Sequence, residues 1–330
     1  AFDVELSGDV SLNQRPMERV AKPLRSMGAM VVTAEGGCPP IKITGGQRLK
    51  GIHYDLPMAS AQVKSCVMLA GLYAQGQTSV TEPAPTRDHT ERMLEGFGYR
   101  VERTHDTCSI EGQGQLTATD IDVPSDISSA TFFLVAAAIC PDSDLVIEHV
   151  GMNPTRIGVV NILRLMGANL SIQNEREVGG EPVADLAIKY APLKGIHVPE
   201  DQVPLAIDEF PALMIAAACA SGTTTITGAE ELRVKESDRI QAMVDGLSAM
   251  GVMIKGTTDG AIIQGMGADT QFAAAQITTH HDHRIAMAFT IAGLRAGANL
   301  KILDCAHVAT SFPNFVELAR TVGITLDEEF

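Results

Sequence analysis

The sequence predicts an α/β protein of two domains, and three features carry that expectation. A marker of amphipathic helix, glycine and short strand recurs at Gly28, Gly98, Gly167, Gly251 and Gly323, with spacings of 70, 69, 84 and 72 residues. A second set of helical segments, apolar nearly all round and therefore buried, alternates with the first, and each precedes a Thr/Val/Ile-rich strand. The length of 330 residues exceeds one ordinary core. A repeat this long is a whole supersecondary unit, read as strand, amphipathic helix, strand, buried helix, strand.

The first element, AFDVELSGDVS, reads as the closing strand of a unit, so the chain opens in mid-repeat. NQRPMERVAKPLRSMG is an amphipathic helix with Arg15 just before Pro16, a residue favoured at the first helical position. Gly28 ends it where a helix C-cap needs a left-handed residue. SAQVKSCVMLAGLYAQG is a buried helix whose start offers Ser60 and Gln62 as neutral donors, and TSVTEP is its strand. TRDHTERMLEGFG repeats the amphipathic helix, with Arg87 before its start. The composition shift over GQGQLTATDIDVPSD marks a domain crossing. SSATFFLVAAAICP, LVIEHV and NPTRIGVVNILRLMG then repeat the order, with Arg156 at another helix start. Asp208 and Glu209 precede the buried FPALMIAAACASG, where a helix N-cap is the ordinary role for one of them. In EELRVKESDRIQAMVDGLSAMG, Ile240, Met243, Val244, Leu247 and Met250 recur at helical spacing and Gly251 stops the helix. HHDHRIAMAFTIAGLRAG closes the buried set, with Asp282 a natural N-cap and Arg284 two residues on.

The net charge of −15 argues against general nucleic-acid or membrane-surface binding, although it leaves room for a local basic pocket. No apolar run is long enough to span a bilayer, and the acidic, polar opening does not read as a signal peptide. The six cysteines are scattered without a C-x-x-C pair, which reads as reduced thiols in a cytoplasmic protein.

The chemistry concentrates at helix starts. Arg233, Lys235 and Arg239 crowd one such start, although an exposed N-terminus favours acids. On a continuous helix Lys235 and Arg239, four apart, would share a face and repel. Glu236 and Asp238 relieve this, and a solvated mixed-charge turn is the plain reading. The sharper reading is an anion site, in which N–H groups, an ammonium and a guanidinium converge on a phosphate or carboxylate. Arg156, at a helix start with no ligand to assign, shows that the pattern has low specificity. His281, Asp282 and His283 offer a rival metal reading, but neighbours on one short segment rarely all reach one ion. For proton transfer the candidates are Asp208 and Glu236, although a carboxylate between cations is a weak base unless something else tunes it.

Taken together, LRVKESDRI, IDEFPALMIAAA, HDHRIAMAF, MASAQVKS, NQRPM and TRDHTERMLEGFG resemble the 5-enolpyruvylshikimate-3-phosphate (EPSP) synthase family over the whole chain and in the right order. SAQVKS and TRDHTE look like the class that includes glyphosate-tolerant members. The resemblance implies two globes built from repeated βαβαβ-type units, an inside-out α/β barrel arrangement with helix N-termini directed at a cleft. It divides the chain into 1–118, with two of three repeats, and 119–330, with three. It implies transfer of the enolpyruvyl group of phosphoenolpyruvate to the 5-hydroxyl of shikimate 3-phosphate, with no metal or organic cofactor. Position by position, Ser60, Ala61, Gln62 and Arg87 match shikimate 3-phosphate contacts. Asp208 matches the acceptor of the 5-hydroxyl proton, Lys235 a residue touching both substrates, and Glu236 the carboxylate that moves the proton at C3. Arg15, Gln62, Lys235, Glu236, Arg239 and Arg284 match contacts to phosphoenolpyruvate and the inhibitor glyphosate, with His283 a secondary neighbour.

Two departures stand out. Thr310 occupies a position where one class of the family has a Lys that binds phosphoenolpyruvate. The family's Lys-Ser-x-x-x-Arg and Asn-Ala-Gly-Thr strings are absent, and only five repeat markers are present. We therefore expect a preceding segment that carries them, on the same polypeptide or as a separate piece. Two rival functions remain. One is UDP-N-acetylglucosamine enolpyruvyl transferase, which shares the fold but wants a reactive Cys in a mobile loop. The other is a non-catalytic remnant, against which the joint retention of Asp208, Lys235, Glu236, Arg239 and Arg284 speaks.

Overall fold

The computed structural model describes residues 2–269 and 271–328. It separates into two compact units, one running through Asp122 and including Glu177–Glu181, the other comprising Val123–Arg176 and Pro182 onward. The division at 122/123 falls inside the expected crossing segment, four residues past the expected 118/119 boundary.

All five marker glycines adopt the left-handed backbone that ends a helix, with φ from 73° at Gly98 to 99° at Gly28. The chain beyond the glycines departs from the expected repeat. In place of a single strand there is an antiparallel hairpin at Met30–Val32/Ile41–Thr44, Glu102–Thr104/Thr107–Glu111, Asn169–Val178/Glu181–Lys189 and Met253–Thr257/Gly260–Met266. A helical period cannot register the second strand, whose pairing lies across the turn. After Gly323 no strand occurs among the described residues.

In the first unit, His53–Asp55 pairs parallel with Gln77–Thr81 across the Ala61–Gly71 helix, and Gln77–Thr81 continues antiparallel into Thr107–Glu111. The opening strand Val4–Leu6 pairs antiparallel with Ile41–Thr44. Val63, Val67 and Met68 seat the Ala61–Gly71 helix in a core with Met27, Leu94 and Ile110.

The second unit packs its apolar helices against one another, Ile127–Ile139 with Phe210–Ala218 and His283–Gly293. Every residue of Phe210–Ala218 is buried, as its all-round apolar pattern requires. The amphipathic Arg239–Ala249 helix buries Ile240, Met243 and Leu247. Gly246 permits its close approach, because a Cβ there would lie 2.1 Å from the Phe289 ring. Burial of a side chain such as Phe289 contributes about 1.5–3 kcal/mol. No helix among the described residues is long and apolar enough to cross a membrane.

Candidate active site

In the second unit the starts of the packed helices gather acids and cations. Asp282 caps the His283–Gly293 helix by accepting from the Arg284 N–H at 2.9 Å. Left-handed His280 and His281 (φ 53° and 60°) turn the chain into that cap. Asp126 caps Ile127–Ile139 and Asp238 caps Arg239–Ala249. The expected carboxylate cap on Phe210–Ala218 is not formed. Glu209 stands at the N-cap position without capping and instead accepts a hydrogen bond from Ser128 Oγ. Burial pushes its carboxyl above the usual range, against that hydrogen bond and the charge of Arg284.

Arg239 is the hub. It is 1% exposed, and its guanidinium donates to Asp282 Oδ2 at 2.8 Å and Glu236 Oε2 at 2.6 Å. Its Nη1 lies 3.5 Å from Asp208 Oδ1, and Lys235 Nζ approaches the same oxygen at 3.6 Å. Lys235 also pairs with Glu231 at 2.6 Å, and Arg284 Nη1 donates to the Asp208 carbonyl at 3.1 Å. The expected repulsion on a shared helix face does not arise. Lys235 lies in extended backbone before the helix, after a short 3-10 turn at Glu230–Val234, and only Arg239 begins the helix. Arg233 leaves the cluster, donating to Asp238 and to the carbonyls of Thr257 and Thr258, so it ties the helix start to a hairpin turn.

Burial would raise the Glu236 carboxyl, but the Arg239 guanidinium together with the residue's own backbone N–H holds the group below the usual range. His283 is pushed down by burial and then by the charge of Arg284, so its ring tends to be neutral. Asp282 is likewise raised by burial and lowered further by Arg239, ending low. A depressed carboxylate contributes stability that is present above its ordinary value of 3.8 and lost as pH falls through the lower native value. The stability gap between the protein and its Asp282→Asn variant is therefore expected to be full near neutrality and to close below that value. Urea melts across about pH 2–7 check this, and a gap independent of pH would contradict it. As for the metal reading, Asp282 accepts from Ser237, Arg239 and the Arg284 N–H, and the His281 ring packs against that of His307 in a tilted arrangement, 5.2 Å between centroids. No group of three or more His, Cys, Asp or Glu among the described residues is placed to hold a metal.

The first unit holds the remaining expected residues. Ser60 caps Ala61–Gly71, its Oγ accepting from the Val63 N–H at 3.4 Å, which leaves its hydroxyl to donate. Gln62 Oε1 accepts from Arg19, a partner that sequence reasoning missed because it lies 43 residues away. Arg87 immediately precedes Asp88, the N-cap residue of His89–Gly96. Arg15 corrects the expected helix start. Pro16 is not the first helical residue, because Met17 is held by the Gly37 carbonyl and the helix begins at Glu18. Arg156, unassigned from sequence, pairs with Asp126 at 3.1 Å and donates to Ser128 Oγ at 2.6 Å in the second unit.

Repeated α/β units, together with acids and cations brought to one end of packed helices, define an enzyme class that handles anionic substrates. Comparison with known proteins narrows it. A model of EPSP synthase (3-phosphoshikimate 1-carboxyvinyltransferase) matches residues 1–318. The chain is 62% identical to the 3-phosphoshikimate 1-carboxyvinyltransferase of Methylococcus capsulatus over 99% of its length and 74% of the relative's. It is 61% identical to that of Hydrogenovibrio crunogenus, covering 98% and 74%. A solved EPSP synthase from Acinetobacter baumannii superimposes with a TM-score of 0.92 at 61% identity, covering 99% of this chain and 75% of that one. The chain belongs to the EPSP synthase family.

Proposed function

We propose that the chain transfers the enolpyruvyl group of phosphoenolpyruvate to the 5-hydroxyl of shikimate 3-phosphate, with Asp208, Lys235 and Glu236 as the reacting groups. The observation that carries the assignment is the placement of the Asp208 carboxylate 3.6 Å from Lys235 and 3.5 Å from Arg239, with Arg284 on its backbone. In this reading the C3 methylene of phosphoenolpyruvate gains a proton by way of Glu236. The 5-hydroxyl adds to C2 as Asp208 accepts its proton. The tetrahedral intermediate then loses a C3 proton and phosphate, which restores the double bond. Glu236 is a weak base while Arg239 holds it. Substrate phosphate and carboxylate groups arriving at Lys235, Arg239 and Arg284 would draw off that positive charge and return the Glu236 carboxyl toward proton-transfer range.

Arg239 and Arg284 suit the phosphate and carboxylate of phosphoenolpyruvate, and of glyphosate, because a guanidinium fork matches a planar or tetrahedral anion. By the family pattern, Arg15 and Gln62 are also contacts to phosphoenolpyruvate, and Ser60, Ala61, Gln62 and Arg87 are contacts to shikimate 3-phosphate. His283 supports the second unit's cluster as a neutral neighbour. The buried and half-buried thiols of Cys66, Cys108, Cys140 and Cys219 disfavour the rival acceptor. Burial pushes all four up, Cys219 to about 12 and Cys108 to about 11, which suppresses thiolate chemistry.

The test is phosphate release from phosphoenolpyruvate by the native polypeptide, with shikimate 3-phosphate or UDP-N-acetylglucosamine as acceptor. Turnover only with the latter would overturn the reading. In the same assay Arg284→Ala is expected to raise KM for phosphoenolpyruvate by about tenfold or more, the scale of one lost charge-assisted contact. KM for shikimate 3-phosphate should change much less, and equal effects on both substrates would contradict this division of contacts.

A further inference from the structure

The first unit contains a buried charge triad that the reaction does not use directly. Lys64, on the Ala61–Gly71 helix, is 1% exposed. Its Nζ lies 2.7 Å from Glu91 Oε1 and 3.1 Å from Glu82, whose side chains are 4% and 14% exposed. Glu82 follows the Gln77–Thr81 strand, and Glu91 lies in the first turn of the His89–Gly96 helix. One ammonium thus pins both ends of the 82–91 segment to the helix capped by Ser60 and begun by Ala61 and Gln62. Thr86 Oγ1 donates to Glu82, and Ser65 Oγ lies 2.7 Å from Thr90 Oγ1, which brace the same segment. Arg87 sits between the two pinned ends.

An apolar core would be cheaper. Desolvating an ammonium and carboxylates costs several kcal/mol per ion, and well-packed apolar replacements are often neutral or stabilising. What charge supplies here is direction. Hydrogen-bonded ion pairs fix a separation, whereas apolar contact tolerates sliding. We infer that Lys64 is a positioning residue for shikimate 3-phosphate, bridging Glu82 and Glu91 so that Arg87 is held at a set distance from the Ser60–Gln62 helix start. The inference rests on the proposed assignment of those four residues to that substrate. Two carboxylates hold the ammonium firmly charged despite its burial.

Lys64→Met alone would leave two carboxylates without their cation and is expected to melt early. The Lys64→Met/Glu91→Leu double variant removes the closest buried pair together, so it keeps the test readable. It is expected to melt within a few degrees of the parent and to raise KM for shikimate 3-phosphate about tenfold. KM for phosphoenolpyruvate should stay within about twofold, since a merely structural loss lowers the active fraction, hence kcat, without splitting the two KM values. Arg87→Ala serves as the reference. An unchanged KM for shikimate 3-phosphate in the double variant, with Arg87→Ala raising it, overturns the inference alone. Equal rises for both substrates in the double variant overturn it too. If Arg87→Ala itself leaves that KM unchanged, the assignment of this unit's residues fails and the inference fails with it.

Discussion

Lys235→Met is expected to lower kcat by about two to three orders of magnitude, the scale of losing one preorganised charge beside a reacting centre. The fold should persist, because the side chain is 19% exposed and its ammonium pairs with carboxylates that are themselves partly exposed, Asp208 and Glu231. Met keeps much of the aliphatic stem and removes the charge. In the proposed reaction that charge faces both anionic substrates. Steady-state kinetics and a thermal melt of the native polypeptide check this. A kcat within about tenfold of the parent would sink the role of Lys235, and a collapsed melting temperature would show it to be structural.

Arg239→Leu is expected to be the most destabilising single change in the cluster. The guanidinium side chain is 2% exposed, and it compensates Asp282, which is fully buried, together with Glu236 and Asp208. Removing one partner of a buried ionic network costs about 3–5 kcal/mol, because the other charges remain without compensation. That corresponds to roughly 6–20 °C of melting temperature for a unit of this size. The cause can be isolated with a double-mutant cycle. Arg239→Leu/Asp282→Asn should recover part of the loss, since the neutral amide no longer needs a counter-charge. A single variant that melts within about 2 °C of the parent would contradict the hub role. Additivity of the two substitutions would show that the pair is uncoupled.

The features legible in the sequence were those whose cause is local. A helix end that needs a left-handed residue shows itself as Gly, and all five marker glycines adopt that backbone. Asp282 could be placed as an N-cap because a cap bonds within two or three residues of itself. Ile127–Ile139 and Phe210–Ala218, apolar on every side, are buried as expected, whereas Ala61–Gly71, read the same way, buries only the face of Val63, Val67 and Met68 and leaves Leu69 exposed to solvent. The motif strings also carried the family, because their side chains and spacings sit in continuous segments such as LRVKESDRI.

Interactions across long sequence separations were decided only by the tertiary structure. Arg239 finds Asp282 43 residues away and Asp208 31 residues away, so a group read as one of three waiting cations is an already-paired hub. Arg233, near it in sequence, reaches carbonyls 24 and 25 residues on and becomes a structural tie. Arg156 meets Ser128 28 residues back, and Lys64 gathers Glu82 and Glu91 from a different helix and loop. The hairpins escaped for a related reason, since the pairing of Met253–Thr257 with Gly260–Met266 is written in hydrogen bonds between strands and not in a helical period. Periodicity and capping express forces that act within a turn or two. Whether a charge at a helix start is spent on a partner or held for a ligand depends on which distant segments the fold brings within about 3 Å of it.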